Sequence, residues 1–355
     1  MSILYRYLAV RFAFGWLLVF LLLTALFSIL ELVGQLDDIG KGSYQLIDAF
    51  RYVAYTLPGR ALNIAAVSSL VGSIVALETL AASDELMAMR ACGISVFRIA
   101  GVAMSAGIPI MLGVLLLAQY VVPPLEQEAK INRELALSEV GTLLPTGGFW
   151  ARDNNRFINV RSSTGGTGLT DVSIYEFNEQ GKMASYIAAR EAAIGRDGRW
   201  VGRGVRQITL LDQQILDRQT ATLPLDVFLN KKQVGVLSIT PAMLSLNKLY
   251  QYIQTLRESG QNADQYVLEL WQKTTLPLKV GAMILFSLPF VFSSAREASP
   301  GRRVTVGAIV GIFYYYFDQA LGYMGLLLVI HPAITTLLPL GIIILMAMWL
   351  LLGIP

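Results

Sequence analysis

Uncharged apolar runs long enough to cross a bilayer recur along this chain in two groups of three. The first is Phe12 to Leu30, the second Ala61 to Leu77 between Arg60 and Glu78, and the third Ile99 to Leu125 between Arg98 and Glu126. A fourth covers Val280 to Ala295 and extends backwards through Thr274 to Leu278. Beyond Val304 only Asp318 and His331 interrupt the apolar character, and the Ile330-His331-Pro332 break divides that stretch in two. A helix needs about 20 such residues to cross the hydrocarbon core, so the pattern predicts six spans, three plus three. The first run is longer than the apolar core of a cleaved leader and no small-residue cleavage site follows it, so it reads as a retained span.

Between the two groups the period changes. Glu126 to Val140 has good helix formers and continues the third span outwards, with Gly141 and Pro145 to Gly148 ending it. Phe149 to Arg152 and Arg156 to Val160 flank Asp153-Asn154-Asn155 as a hairpin. Val172 to Phe177, Tyr186 to Ile194, Trp200-Val201 and Gln207 to Leu210 follow, with Asn178 to Gly181 and Asp197-Gly198 as turn signals. Short strands at this spacing, with no helical pattern between them, predict an all-β sandwich or jelly roll. Pro241 marks its exit, Ser245 to Ser259 reads as an amphipathic helix stopped by Gly260, and Asp264 to Lys273 leads into the fourth span. The expected division is therefore residues 1–140 with spans one to three, 141–243 as the β domain, and 244–355 with the connecting helix and spans four to six.

Composition agrees. The 355 residues are 54% hydrophobic and 15% charged, against roughly 25% charge in soluble domains. Most of the charge lies in the segment between the two groups of spans. One Cys (Cys92) and one His (His331) leave no internal disulfide, no thiolate or imidazole metal cluster and no Ser–His–Asp constellation. A net charge of +3 implies no nucleic-acid partner. Seven basic residues (Arg6, Arg11, Arg90, Arg98, Arg296, Arg302 and Arg303) lie on one side of the spans, and three (Lys41, Arg51 and Arg60) on the other. The positive-inside rule then puts both termini in the cytoplasm and the β domain outside.

The loop between spans two and three has the marks of a short surface helix. Ser83 is an N-cap residue, Asp84 and Glu85 fill the first turn, Gly93 is a C-terminal glycine and Ser95 caps the next helix. Asp84 and Glu85 either complement the helix dipole or contact a partner; Arg90 is either a second contact or a positive-inside anchor. No G-x-x-x-x-G-K-[ST] loop exists, so ATP energy would have to come from another chain. Asp318 is the one formal charge in span five. An intramembrane carboxylate is costly: it pairs with a partner helix, opens to a cavity, or sits at the interface, and structural pairing is the favoured role. An ion-coupled carrier would need several such groups and inverted repeats, and the sequence has neither. An intramembrane hydrolase would need a motif such as H-E-x-x-H, also absent.

Several short segments carry a family resemblance. They are Gln35-Leu36, Gly40 to Tyr44, Ser83 to Leu86, Ala91 to Gly93, Gly148 to Asp153, Ile174 to Asn178, Ser259 to Gln261 and Leu288 to Phe292. Together with the three-plus-three layout they resemble the LptF/LptG family of lipopolysaccharide export permeases along the whole length.

That resemblance implies an α-helical polytopic inner-membrane protein with an inserted periplasmic β-jellyroll. Its role would be to extract lipopolysaccharide and hand it to a periplasmic β-jellyroll bridge. An LptF-like second permease, two LptB-like ATPase subunits and an LptC-like membrane-anchored protein would be partners. ATP and Mg would be used by the ATPase, with no cofactor on this chain. A different ATP-driven lipid or lipoprotein permease is the alternative. By the same resemblance, Asp84, Glu85 and Arg90 would form an ATPase-coupling helix near 83–93. The lipid cavity and gate fall to spans one, two and five, with candidates Phe27, Leu30, Leu62, Val67, Phe317, Leu321 and Met324. Lys41 and Arg60 stand where headgroup phosphates would pass, although Glu31, Asp37 and Asp38 are close and Glu31 is an alternative partner for Arg60. The β domain would hold acyl chains or offer an edge to another β domain; Phe149, Trp150, Phe157, Tyr175 and Trp200 are read as its core.

Overall fold

A computed structural model describes residues 2–137, 149–153, 155–164, 168–178, 182–194, 200–211, 214–225, 243–258, 261–292 and 300–353. Gly141, the Pro145 to Gly148 stop, the Asp197-Gly198 turn, Pro241, Gly260 and Arg296 lie outside the described residues.

Among the described residues, six helices are long and apolar enough to span a membrane. They belong to α1 (Ser2–Leu36), α2 (Leu46–Ala82), α4 (Val96–Leu116) with its continuation, α7 (Asp264–Phe292), α8 (Pro300–Leu327) and α9 (Pro332–Leu352). The short α3 (Glu85–Ala91) joins α2 to α4, and α6 (Leu246–Glu258) precedes α7. Helix α4 passes through a π-helical turn at Leu117–Val121 into α5 (Val122–Leu137). The turn precedes Pro123-Pro124, whose rings and missing N–H groups disrupt the normal ladder; the wider i→i−5 bond from Val122 to Leu117 absorbs the misfit.

At about 1.5 Å per residue, α1 (35 residues) and α2 (37 residues) exceed 50 Å, against a hydrocarbon core of about 30 Å. Their excess length projects beyond the apolar runs.

The spans are unequally packed. Of the most apolar window of α2, 78% is buried, and of α7 72%; for α1 the share is 11% and for α8 17%. Helices α2 and α7, with α4 and α9, therefore form the core (Leu70, Ile74, Leu77, Ile99, Met283, Phe286, Ala347), and α1 and α8 lie against it. Helix α1 docks by small-residue contact: a Cβ on Gly72 would lie 2.6 Å from the Trp16 Cα, and one on Gly15 2.8 Å from the Ala76 Cβ. The indole Nε1 of Trp16 donates to Ser69 Oγ at 3.0 Å. The break after α8 is a turn with Val329 at φ 56°, and His331 caps α9, its Nδ1 accepting from the Ala333 N–H with Pro332 at the first helical position.

Among the described residues the β domain is a six-stranded antiparallel meander paired in chain order: β1 (Phe149–Asp153), β2 (Arg156–Thr164), β3 (Gly168–Phe177), β4 (Met183–Ile194), β5 (Trp200–Leu211) and β6 (Gln214–Leu225). Strand β5 is continuous where the sequence suggested two pieces. Strand β6 was not legible, because Asp217 to Thr222 carries no apolar alternation. A crease crosses the sheet. Asp171 (φ 52°) and Gly204 (φ 63°) occupy the left-handed region, and the ladder skips a pair between Thr170↔Glu191 and Val172↔Ala189 and again between Glu191↔Arg203 and Ala189↔Val205. The inward parity changes there, from Val172 to Leu169, from Ala189 to Ala192 and from Val205 to Trp200. The crease lets both halves of one meander share a core. Trp200 lies in it, fully buried, while Phe157 and Tyr175 are half-buried; Phe149 and Trp150 lie in β1.

The docking of α1 yields a test. Gly72→Leu should destabilise the protein by about 1–3 kcal/mol in reversible detergent unfolding, because the backbone of α1 blocks the new side chain. Gly113→Leu, at a position with nothing within 4 Å, should be neutral.

Candidate functional site

The described residues place the candidate positions in three regions: the α3 surface, the rim at the far ends of α1 and α2, and a crevice among α2, α7 and α8.

Helix α3 is built by its ends. Ser83 closes α2, so Asp84 (φ 59°) stands at the start of α3 with no side-chain cap bond. At the other end Gly93 (φ 83°) donates to the Arg90 carbonyl and Ile94 to the Met89 carbonyl, the paired bonds of a Schellman stop. Ser95 then caps α4 through the Arg98 N–H. Glu85 is half-buried: its Oε1 accepts from Tyr7 Oη of α1 at 3.0 Å and from Ser83 Oγ at 3.0 Å, and Arg11 Nε donates to the same Tyr7 hydroxyl at 3.1 Å. The Arg90 guanidinium lies 6.0 Å from the Phe292 ring of α7. Asp84 and Met87 are exposed. This seven-residue helix thus touches spans one and four and presents a free outer face.

The rim is a charge network. Lys41 Nζ donates to Asp38 Oδ1 at 2.7 Å, and Arg133 of α5 binds both Asp38 and Gln35. Gly42 (φ 55°) brings the loop onto α5 so closely that a Cβ would clash with the Ala136 carbonyl, to which Ser43 N–H donates at 2.7 Å. The hydrogen bond from Lys41, reinforced by Arg133, holds the Asp38 carboxyl below the usual carboxylate range. Lys41 stays 62% exposed. Arg60 is different. It lies mostly buried, 3.9 Å from Glu31, and donates through Nη2 to the Val53 carbonyl; its Nε and Nη1 have no hydrogen-bond partner among the described residues. Glu31 therefore does pair with Arg60, loosely, and leaves donor capacity unused.

The crevice, about 170 Å³, is lined by Leu62, Asn63 and Val67 of α2, Lys279 of α7, and Tyr314 and Asp318 of α8, among others. It has room for several waters. Asp318 Oδ2 accepts from Lys279 Nζ at 2.6 Å; Asp318 Oδ1 and the Tyr314 hydroxyl have no protein partner among the described residues. Asp318 thus pairs within the chain, with span four. Sequence reasoning passed over Lys279 because it sits between two apolar runs; a lone lysine inside a span opposite a lone aspartate was the available signal. A second buried pair was also missed: Arg303 Nη1 of α8 donates to Glu78 Oε1 of α2 at 2.7 Å, the residues being 9% and 6% exposed. Glu78 had served only as a span boundary and Arg303 only in the count of basic residues that sets the topology.

Of the apolar gate candidates, Leu62 and Val67 line the crevice, and Val67 packs with Val19 of α1 and against Gly311 of α8. Phe27, Leu30 and Met324 are exposed on their helices, and Phe317 and Leu321 are partly so. The structure brings two of the seven, Leu62 and Val67, together in the crevice, and only Val67 is also shown against span one.

Comparison with known proteins supplies the remaining finding. The family model described as lipopolysaccharide export system permease LptF/LptG matches residues 6–353. The lipopolysaccharide export system permease protein LptG of Haemophilus influenzae is 31% identical over 330 residues, covering 93% of this chain and 92% of that protein. The LptG protein of Escherichia coli strain K12 is 32% identical over 332 residues with the same coverage. Six spans, an inserted antiparallel β domain and likeness over nearly the whole length lead to one conclusion: the chain belongs to the LptF/LptG family of lipopolysaccharide export system permeases.

Proposed function

We propose that this chain is the LptG-type permease subunit of an ATP-driven exporter that extracts lipopolysaccharide from the inner membrane and passes it to a periplasmic β-jellyroll bridge. Its full-length likeness to LptG proteins carries this reading. As a member of the family, the chain is a multi-pass inner-membrane permease, a non-enzymatic transporter subunit of a multi-component export system.

In the finer reading it pairs with an LptF-like second permease and an LptC-like membrane-anchored protein, on two LptB-like ATPase subunits that use ATP and Mg; this chain holds no cofactor. Both termini face the cytoplasm and the β domain lies in the periplasm. The same reading divides the chain into residues 1–140, 141–243 and 244–355.

Helix α3 suits the coupling role, because its outer face is free while Glu85 and Arg90 tie its inner face to α1 and α7. A push on α3 would be felt by span one through the Glu85–Tyr7 bond. Asp84, Glu85 and Arg90 are the proposed coupling residues. Arg60, with unused guanidinium donors in a sheltered position, is the better equipped of the two proposed headgroup ligands; Lys41 is exposed but held by Asp38. Leu62 and Val67 line the lipid path at its inner edge, and Phe27, Leu30, Phe317, Leu321 and Met324 face the acyl chains. The Lys279–Asp318 pair pins span five, a lightly buried wall of that path, to span four.

Co-purification of the tagged complex tests the coupling proposal. Glu85→Arg should cut recovery of the ATPase subunit and ATP hydrolysis by at least tenfold. Tyr7→Phe, which removes only the internal bonds of that hydroxyl to Glu85 and from Arg11, should leave recovery intact. Equal recovery with the native and Glu85→Arg chains, or no ATPase with either, contradicts it.

The rim supplies a second test. Asp38→Asn frees Lys41 and Arg133 and should strengthen binding of lipopolysaccharide to the purified complex about fivefold, one surface charge being of that order. Because the native carboxyl titrates below its ordinary value of about 3.9, the gain is complete at neutral pH and disappears once pH falls through that lowered value. Unchanged or weaker binding by the variant at neutral pH rules Lys41 out as a headgroup ligand.

A further inference from the structure

A groove of about 530 Å³ opens between the first turns of α1 and the start of α4, beside the α3 region but apart from the rim and the crevice. Tyr5 and Leu8 form one wall, Ile94, Ile99 and Val102 the other. Gly101 keeps it open, since a Cβ there would meet nothing within 4 Å.

Its surroundings are apolar and outward-facing. Val10 and Phe14 on α1 are 60% and 65% exposed, and Phe97 and Ile108 on α4 are both 54% exposed. The groove is thus continuous with the surface the helices offer to lipid. It lies where the apolar runs begin, at Phe12 on α1 and Ile99 on α4, which is the depth of the headgroup boundary. Tyr5 is of the amphipathic type that favours that depth.

Among the described residues one charged side chain lines the groove, Arg98, and no carboxylate does. Arg98 is exposed and has no ion-pair partner among the described residues, whereas Arg60, Arg133 and Arg303 each face a carboxylate. An apolar slot with one uncompensated guanidinium at headgroup depth is complementary to a chain that is apolar along its length and anionic at one end.

We infer that this groove binds an anionic phospholipid of the leaflet that holds the chain's N terminus, an acyl chain lying along the α1 and α4 walls and the phosphodiester on the Arg98 guanidinium. Such a lipid would fill an open seam between spans one and three, α1 and α4, at the level of α3. Span one, otherwise lightly packed, then rests on a bound lipid as well as on α2. The inference does not depend on which lipid the transporter exports.

Native mass spectrometry of the full chain, titrated with phosphatidylglycerol or with phosphatidylcholine of identical acyl chains, tests it. The native chain should hold phosphatidylglycerol about fivefold more tightly. Arg98→Gln should abolish that selectivity and Arg98→Lys should retain it, so that the loss is read at the charge and not as misfolding. Gly101→Leu, which fills the groove without meeting a neighbour, should weaken both lipids. Selectivity that survives Arg98→Gln overturns the proposal, as does lipid retention unaffected by Gly101→Leu. Loss of a second membrane subunit from Gly101→Leu complexes with lipid occupancy unchanged would mark the groove as a helix seat and also overturn it.

Discussion

A charge buried within a bilayer must find its partner inside the protein, because the hydrocarbon will not supply one. Span five meets this constraint twice. Arg303 near its start pairs with Glu78 of α2, and Asp318 farther along pairs with Lys279 of α7. Most of its remaining surface is exposed, with Phe313, Tyr316 and Leu327 facing away from the bundle. Between lipid-like side chains and lipid there is little hydrophobic driving force to fix a helix position. The two ion pairs therefore set where span five sits, and removal of one partner from a buried pair costs about 3–5 kcal/mol. A tie of that kind is either made or broken; it does not slide, which suits a wall of a lipid path.

Span one is held differently. It rests on α2 through Gly15, Gly72 and Ala76, with Trp16 bonded to Ser69. At one end Tyr7 reaches Glu85 of α3; at the other Gln35 joins the rim network of Arg133, Tyr44 and Asp38. The same helix thus links the proposed coupling surface to the proposed headgroup rim. Two lightly packed spans on a dense core of α2, α4, α7 and α9 give a frame with two movable sides, and Val67 lies where both meet α2.

The spans were legible because their physics is one-dimensional: a run of uncharged apolar residues is enough. The early hairpin from Phe149 to Val160 and the α3 stop at Gly93 were legible for similar local reasons. What escaped depends on two distant residues at once. Lys279 and Asp318 are 39 positions apart, and Glu78 and Arg303 are 225 apart. No window of sequence shows that each cancels the other. The crease at Asp171 and Gly204 escaped because it needs left-handed residues in separate strands to fall in line across the sheet, while the pairing register stays the same on either side. The rim was half legible: the excess of acidic residues near Lys41 looked wrong for an anion site, and the structure explains it through Arg133, contributed from α5.

The position of span five is the most direct test. Spin labels at the exposed Tyr323 of α8 and Phe50 of α2, in the full chain in nanodiscs, report its distance from the core. Lys279→Met should broaden that distance distribution, and the exchanged pair Lys279→Asp with Asp318→Lys should narrow it again towards the native one. A distribution unchanged by Lys279→Met would show that apolar packing alone holds span five and would contradict the account.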